Sequence, residues 1–184
     1  VDDALRTVAD ATQRLSRVLA SFRQAPGSAA FEACDLVELT TAAVQQVQAR
    51  APRPVLVSNT EHLPIKAAPE RLVAVLEHLL QNAQDATPHD GSIRVELSRA
   101  ADRALLQIAD TGCGMSEEFV QQQLFKPFAT TKGKAGMGMG VYESLHVVHA
   151  VGGRLSVASK PGVGTTFQIS LPIDRAAAVE GLPA

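Results

Sequence analysis

The sequence predicts a two-layer α/β sandwich preceded by a heptad-patterned helix. Three observations carry that expectation. Apolar residues recur at helical spacing in several stretches, such as 36–47 and 72–83. Other stretches, such as 93–97, alternate apolar and polar residues, the period of a half-buried strand. The first 22 residues instead carry a seam of steps of four and three. One-sided helices and one-sided antiparallel strands bury their apolar faces by packing as two layers.

The bulk properties fit one domain with an appendage. A chain of 184 residues that is 46% hydrophobic has enough material for a core. A net charge of −2 offers no basic field, so no nucleic-acid partner is expected. With no Trp and one Tyr (Tyr142) there is little for bases to stack on. Cys34 and Cys113 lack metal-type spacing and read as reduced thiols of a cytoplasmic protein. No apolar run approaches the length that spans a bilayer, roughly 18 residues or more. The chain opens at Val1, already inside a helical pattern, which reads as a piece of a longer protein. Any signal or membrane segment is then expected in the missing part.

Taken in order, Val1, Leu5, Val8, Thr12, Leu15, Leu19 and Phe22 form the seam of a helix that asks for a partner helix. Pro26-Gly27-Ser28 breaks the chain. Residues 1–25 are therefore expected as a separate helix, 26–34 as a linker, 35–173 as the main domain and 174–184 as a loose Ala-rich tail. Asp35-Leu-Val-Glu38 has capping-box spacing, with Asp in place of Ser or Thr. The helix it opens runs to about residue 50, where Pro52 and Pro54 stop it. Residues 55–59 read as a buried strand and 65–67 as a short second one. Pro69 suits a first helical turn, and the wide apolar face of Leu72, Leu76, Leu79, Leu80 and Ala83 predicts a helix to about residue 86. Past the turn at 88–91, residues 92–99 and 104–109 look like paired antiparallel strands. Residues 112–136 form a long connection with one short helix, and such connections in compact domains are usually functional. A helix over 138–150 and strands over 154–159 and 165–171 complete the domain.

Chemistry concentrates in three places. Asp110-Thr-Gly-Cys-Gly-Met115 sets a carboxylate and two glycines just after an apolar run. A carboxylate at the end of a buried strand needs a partner, and the exocyclic amine of adenine supplies one. Gly136-Met-Gly-Met-Gly140 opens a helix, where glycines admit close approach and helix-start amides favour phosphate. His78-Leu-Leu-Gln-Asn82 puts two polar side chains one turn apart on an otherwise apolar helix. The amide oxygen of Asn82 is a hard neutral ligand, suited to a Mg²⁺ that keeps its waters and phosphates. The glycines do not directly follow a strand, as a dinucleotide fingerprint requires, and no Gly-Lys-Ser/Thr of a P-loop accompanies them.

In this order the three segments resemble the N, G1 and G2 boxes of the ATP-binding domain of sensor histidine kinases, which shares its fold with gyrase, Hsp90 and MutL. The resemblance covers 35–172. It implies a mixed, mostly antiparallel sheet with helices on one face, the Bergerat-type ATP-binding fold. It implies Gly112 and Gly114 against the adenine base and Thr165 reaching the base through water. Phe125-Lys-Pro-Phe128-Ala-Thr-Thr131-Lys132 resembles the F box of an ATP lid. There Phe125 and Phe128 anchor the loop, Lys132 reaches phosphate, and Lys126 and Lys134 read as solvated lysines. Gly136, Gly138 and Gly140 clear a path for phosphates. His78 stands where the gyrase-like ATPases carry a water-activating glutamate. It either polarises a nucleophile or is a buried neutral histidine, and its presence argues for transfer to an acceptor other than water. Asp85, where some relatives carry a phosphate-contacting Lys, is left with surface or packing polarity.

The implied cofactors are ATP and Mg²⁺, and the implied activity is that of a protein-histidine kinase. The catalytic residues are then His78, Asn82 and Lys132, with Asn82 on the metal. None of the five histidines, His62, His78, His89, His146 and His149, lies in the heptad stretch. That stretch then resembles the second helix of a dimerisation hairpin. The phosphoacceptor helix is expected elsewhere, and the chain alone is not expected to phosphorylate itself. A homodimer through the N-terminal helix, a response-regulator receiver domain as partner, and a cytoplasmic place beneath a membrane anchor follow from the same resemblance. The strings around Phe125 and Gly140 further resemble sensor kinases of exosortase-linked (PEP-CTERM) systems. The alternative is an ATPase of the gyrase, Hsp90 and MutL kind.

Overall fold

The computed structural model describes residues 30–130 and 138–180. The expected heptad helix, Lys132, Lys134 and Gly136 lie outside the described residues. Phe31–Ala184 forms one compact unit.

Seven strands and five helices are described. Strand β1 (Glu32–Asp35) pairs antiparallel with β3 (Pro64–Ala67) in a two-stranded sheet. The main sheet holds β2 (Pro54–Ser58), β4 (Ile93–Ala100), β5 (Arg103–Asp110), β7 (Gly164–Pro172) and β6 (Arg154–Lys160), in that spatial order. Strand β2 runs parallel to β4, and every other neighbouring pair is antiparallel. The helices are α1 (Leu36–Val47), α2 (Pro69–Ala86), α3 (Glu117–Gln122), α4 (Gly140–Ala150) and α5 (Arg175–Glu180). This is the two-layer sandwich that the sequence predicts, with the mixed, mostly antiparallel sheet that the resemblance implies.

The alternation explains the layers. Val95 faces Ile108, and Ile108 faces Phe167. Leu97, Leu106 and Ile169 form the next row. All are buried, as are Leu72, Val75, Leu76, Leu79 and Leu80 of α2 and Leu36, Ala43, Val44 and Val47 of α1. One sheet face and the apolar stripes of the helices thus share a single core. Central strand β5 lies between β4 and β7, so its last residue, Asp110, is flanked on both sides.

Four expectations are corrected. Residues 32–34, expected within a linker, belong to β1. Its four residues, Glu-Ala-Cys-Asp, are too few and too polar to show a period, and pairing with β3 makes the strand. Strand β2, expected to be buried, is an edge strand with Val55 60% and Val57 39% exposed. Its valines suit a pleated backbone without being core residues. The first helix ends at Val47, because the Gln48 N–H turns back to the Gln45 carbonyl and the Arg50 N–H to that of Val47. The helix expected from 138 starts at Gly140, since Gly138 sits at φ +64°, in the left-handed region. Helix α5 in addition occupies part of the stretch expected as tail.

Candidate nucleotide site

Asp110 is 8% exposed. Its Oδ1 accepts from the Gly112 N–H at 2.8 Å and from the Thr165 N–H at 3.2 Å. No described donor reaches Oδ2, so one lone-pair edge of a buried carboxylate remains for an incoming donor. Burial pushes the Asp110 carboxyl above the usual carboxylate range, against the pull of those two N–H groups. An amine donor, such as the one adenine carries, would complete the shell of a group placed this way.

The glycines here are demanded by backbone crowding. A Cβ on Gly164, at φ +132°, would stand 1.9 Å from the Asp110 carbonyl oxygen. One on Gly112 would stand 2.5 Å from the Ala86 oxygen, and one on Gly114, at φ +65°, 2.0 Å from that of Lys160. The neighbours of their missing side chains are thus protein backbone, which lets the 110–114 loop seat between the end of α2 and the β6–β7 turn. Hydrogen bonds from Cys113 N–H to Ala86 (3.0 Å) and from Gly162 N–H to Cys113 (2.8 Å) fasten it on both sides. The Cys113 thiol itself is exposed.

Thr165 lies opposite Asp110 in register, and its hydroxyl is 2.9 Å from that of Ser159. Ser159 accepts from the Met115 N–H at 2.8 Å and donates to the Gly164 carbonyl at 3.0 Å. With its one proton committed, Ser159 takes the Thr165 proton, and the Thr165 oxygen keeps lone pairs for a ligand or water. Ser159 and Gly164 are site residues that the sequence reading did not single out. The register of a hairpin folding at Pro161-Gly162-Val163 pairs Ser159 with Thr165, and that signal was available.

The second half of the site is on α2. Asn82 Nδ2 donates to His78 Nε2 at 2.8 Å, so the expected shared face is a direct contact. Ala86, one turn beyond Asn82, touches Gly112, and α2 thereby joins this half to the Asp110 half. Gly140, the first residue of α4, packs on His78. Among the described residues no group of three His, Cys, Asp or Glu side chains could cage a metal ion. One amide oxygen fits a Mg²⁺ that takes its other ligands from water and phosphate.

Other expected residues fall as follows. Asp85 pairs with Arg50, in line with a packing role. Phe125 packs partly buried against the core, as an anchor should. Phe128 does not: it is 62% exposed, at φ +67°, and the Phe128–Ala129 backbone instead lies where a Gly138 side chain would be. The left-handed turn rotates the ring outward. His146 sits edge-on to Tyr142 on α4, centroids 4.4 Å apart, as an ordinary helix-face residue. Lys132 and Gly136 lie outside the described residues.

Residues 67–175 match the family described as histidine kinase-, DNA gyrase B-, and HSP90-like ATPase. The chain is 39% identical over 142 residues to the signal transduction histidine-protein kinase AtoS of Escherichia coli, covering 76% of this chain and 23% of that protein. It is 33% identical over 168 residues to the sensor histidine kinase ZraS of Klebsiella oxytoca, covering 88% and 36%. It therefore spans about a quarter to a third of the length of these curated relatives. The solved mycobacterial sensor histidine kinase MprB superposes with a TM-score of 0.68 at 25% identity, over 78% of this chain and 97% of that one. The full-length kinase ShkA in complex with AMPPNP shares the fold, with a TM-score of 0.74 at 24% identity over 93% of this chain and 38% of that one. The chain belongs to the histidine kinase-, gyrase- and HSP90-like ATPase family, as an ATP-binding catalytic domain of the sensor histidine kinase kind.

Proposed function

We propose that this domain binds Mg·ATP and presents the γ-phosphate to a histidine outside these 184 residues, for relay to an aspartate on a response-regulator receiver domain. The observation that carries the reading is Asp110: a buried carboxylate with Oδ1 saturated by backbone and Oδ2 left for an adenine amine. Thr165 supports the base through its free lone pairs, and Gly112 and Gly114 hold the loop that frames it. Asn82 Oδ1 would hold Mg²⁺, which supplies charge neutralisation at the phosphates. Lys132 and the glycines at 136, 138 and 140 serve the phosphate end, and His78 serves it from α2. Little covalent chemistry falls to the protein here. Its work is positioning and charge stabilisation.

The placing of the whole protein is part of the same proposal. The heptad seam supports dimerisation through residues 1–25. The relatives' names support a sensor, here placed on the cytoplasmic side of a membrane anchor. Among the described residues no helix is long and apolar enough to cross a membrane. The strings around Phe125 and Gly140 support an exosortase-linked sensor kinase as the sub-family.

Calorimetric titration of the chain with ADP and Mg²⁺ tests the pocket. Saturable binding is expected, and Asp110→Asn should weaken it by about 1–3 kcal/mol, the range for losing a charge-assisted hydrogen bond. Unchanged affinity would remove Asp110 from the site. Labelled ATP should leave no acid-labile phosphate on the chain. Incorporation would overturn the proposal of an external acceptor, and rapid hydrolysis would favour an energy-coupled clamp of the gyrase kind.

A further inference from the structure

We infer, resting on the proposed Mg·ATP reading, that Ser159 is a positioning residue for base selection: it holds the Thr165 hydroxyl as an acceptor, so that the base corner takes a purine 6-amine and turns away a 6-carbonyl. Residues directly opposite each other on antiparallel strands project to the same sheet face. Ile93, Asp110, Thr165 and Ser159 therefore form one row across β4, β5, β7 and β6. The next row, Val95, Ile108, Phe167 and Val157, is wholly apolar, and so is the one after it, Leu97, Leu106, Ile169 and Leu155. Three polar side chains thus end a sheet face that is otherwise core. Asp110 and Thr165 are 8% and 6% exposed, so what they meet there must match them in hydrogen bonding.

The hydrogen bonds along the row set its polarity. Ser159 Oγ has the Met115 N–H at 2.8 Å, the Gly164 carbonyl at 3.0 Å and Thr165 Oγ1 at 2.9 Å. The N–H can only donate and the carbonyl can only accept, so the one serine proton goes to Gly164 and a lone pair faces Thr165. Thr165 gives its own hydroxyl proton to that lone pair. Its N–H is committed as well, to Asp110 Oδ1 at 3.2 Å. What Thr165 has left is acceptor capacity, beside a carboxylate that also only accepts when ionised. The adenine amine brings two N–H donors to this pair. A 6-oxo purine brings an oxygen for which neither side chain has a proton, and an unmatched buried acceptor is costly. Without the serine, the Thr165 hydroxyl is free to rotate and donate to that oxygen.

ADP and inosine diphosphate, whose base carries a 6-oxo group and a proton on N1, are titrated into the whole chain by calorimetry in Mg²⁺. The ratio of the two affinities is the readout. Wild type should favour ADP. Ser159→Ala should narrow the ratio by about fivefold, the size of one neutral hydrogen bond. Loss of the bonds to Met115 and Gly164 weakens both ligands alike, so a merely structural role does not move the ratio. Ser159→Thr keeps a hydroxyl and should keep the wild-type preference. In a Thr165→Val background, Ser159→Ala should change the ratio no further, because the hydroxyl it releases is gone. An unchanged ratio in Ser159→Ala, an equal narrowing in Ser159→Thr, or a shift that persists without the Thr165 hydroxyl overturns the inference and leaves the parent reading standing. A wild type that binds neither nucleotide, or binds both equally, removes the two together. Circular dichroism checks folding. Should Ser159→Ala not fold, Ser159→Cys, close in size with a sulfur that accepts only weakly, takes its place with the same narrowing expected.

Discussion

At Asp110 affinity and stability pull in opposite directions. The fold desolvates the carboxyl and raises its pKa, so the folded state prefers the protonated form. Stability from this group is fully present below the ordinary carboxylate range and is lost as pH rises through the raised folded value. At neutral pH the ionised group is a liability that a ligand relieves. Asp110→Asn keeps an acceptor for the Gly112 and Thr165 N–H groups and removes the charge. The nucleotide-free variant should therefore melt no lower than wild type at pH 7 and should show a flatter stability profile above the carboxylate range. A variant equally destabilised at pH 4.5 and pH 7 would show that the charge is already matched inside the protein. Asp110 and Asn82 were legible because residue type and position along an element suffice to mark them. The duties of Gly112, Gly114 and Gly164 were not, because each answers to backbone from a distant part of the chain: Ala86, Lys160 and Asp110. Phe128 misled for a related reason, since an outward ring follows from a left-handed φ that composition does not announce.

At the scale of elements, α1 shows how far a local signature goes. Asp35 caps the helix, accepting from the Val37 N–H at 2.8 Å. The expected reciprocal bond from Glu38 is replaced by tertiary ones. The Leu63 N–H reaches Asp35 Oδ1 at 3.1 Å, and His62 Nδ1 lies 2.8 Å from Oδ2. The cap thus pins the start of α1 to the approach to β3. Asp35→Ala should cost about 0.5–2 kcal/mol for the cap alone, read by urea unfolding. The bond to Asp35 holds the His62 pKa above the usual imidazole range. Its stabilising effect is then complete below that range and fades as pH rises through the raised value. The difference in urea midpoint between pH 5.5 and pH 8.5 should accordingly shrink in His62→Gln, and an unchanged difference would mean the pair contributes nothing. Helices such as α2 were readable from period alone, as were β4 and β5. Strand β1 was not, because four residues carry no period, and the exposure of β2 was not, because valine marks a pleated backbone as readily as a core.

Over the whole molecule, the two periods of the sequence were enough to reveal a helical layer on a sheet. The strand order β2-β4-β5-β7-β6 and the parallel β2–β4 pair were not in it, since long-range pairing leaves no local trace. The layering divides the proposed site. The contacts around Asp110 come from β5, β7, the loops beside them and the last residue of α2, whereas Asn82 and His78 ride on the body of α2. A cavity in the helical layer should then lower stability without loosening the adenine grip. Leu79 is fully buried on α2, and Leu79→Ala should cost about 2–5 kcal/mol in urea unfolding. A ligand that binds only the folded state adds about 2.7 kcal/mol at a concentration 100 times its Kd. Variant and wild type, each measured in EDTA with ADP at that multiple of its own Kd, should have closely similar Kd values and gain the same increment. The two effects then add, as independent sites do. A Kd that rises tenfold in Leu79→Ala would instead show that the packing of α2 on the sheet sets the shape of the adenine pocket, and that the two halves of the site answer to one core.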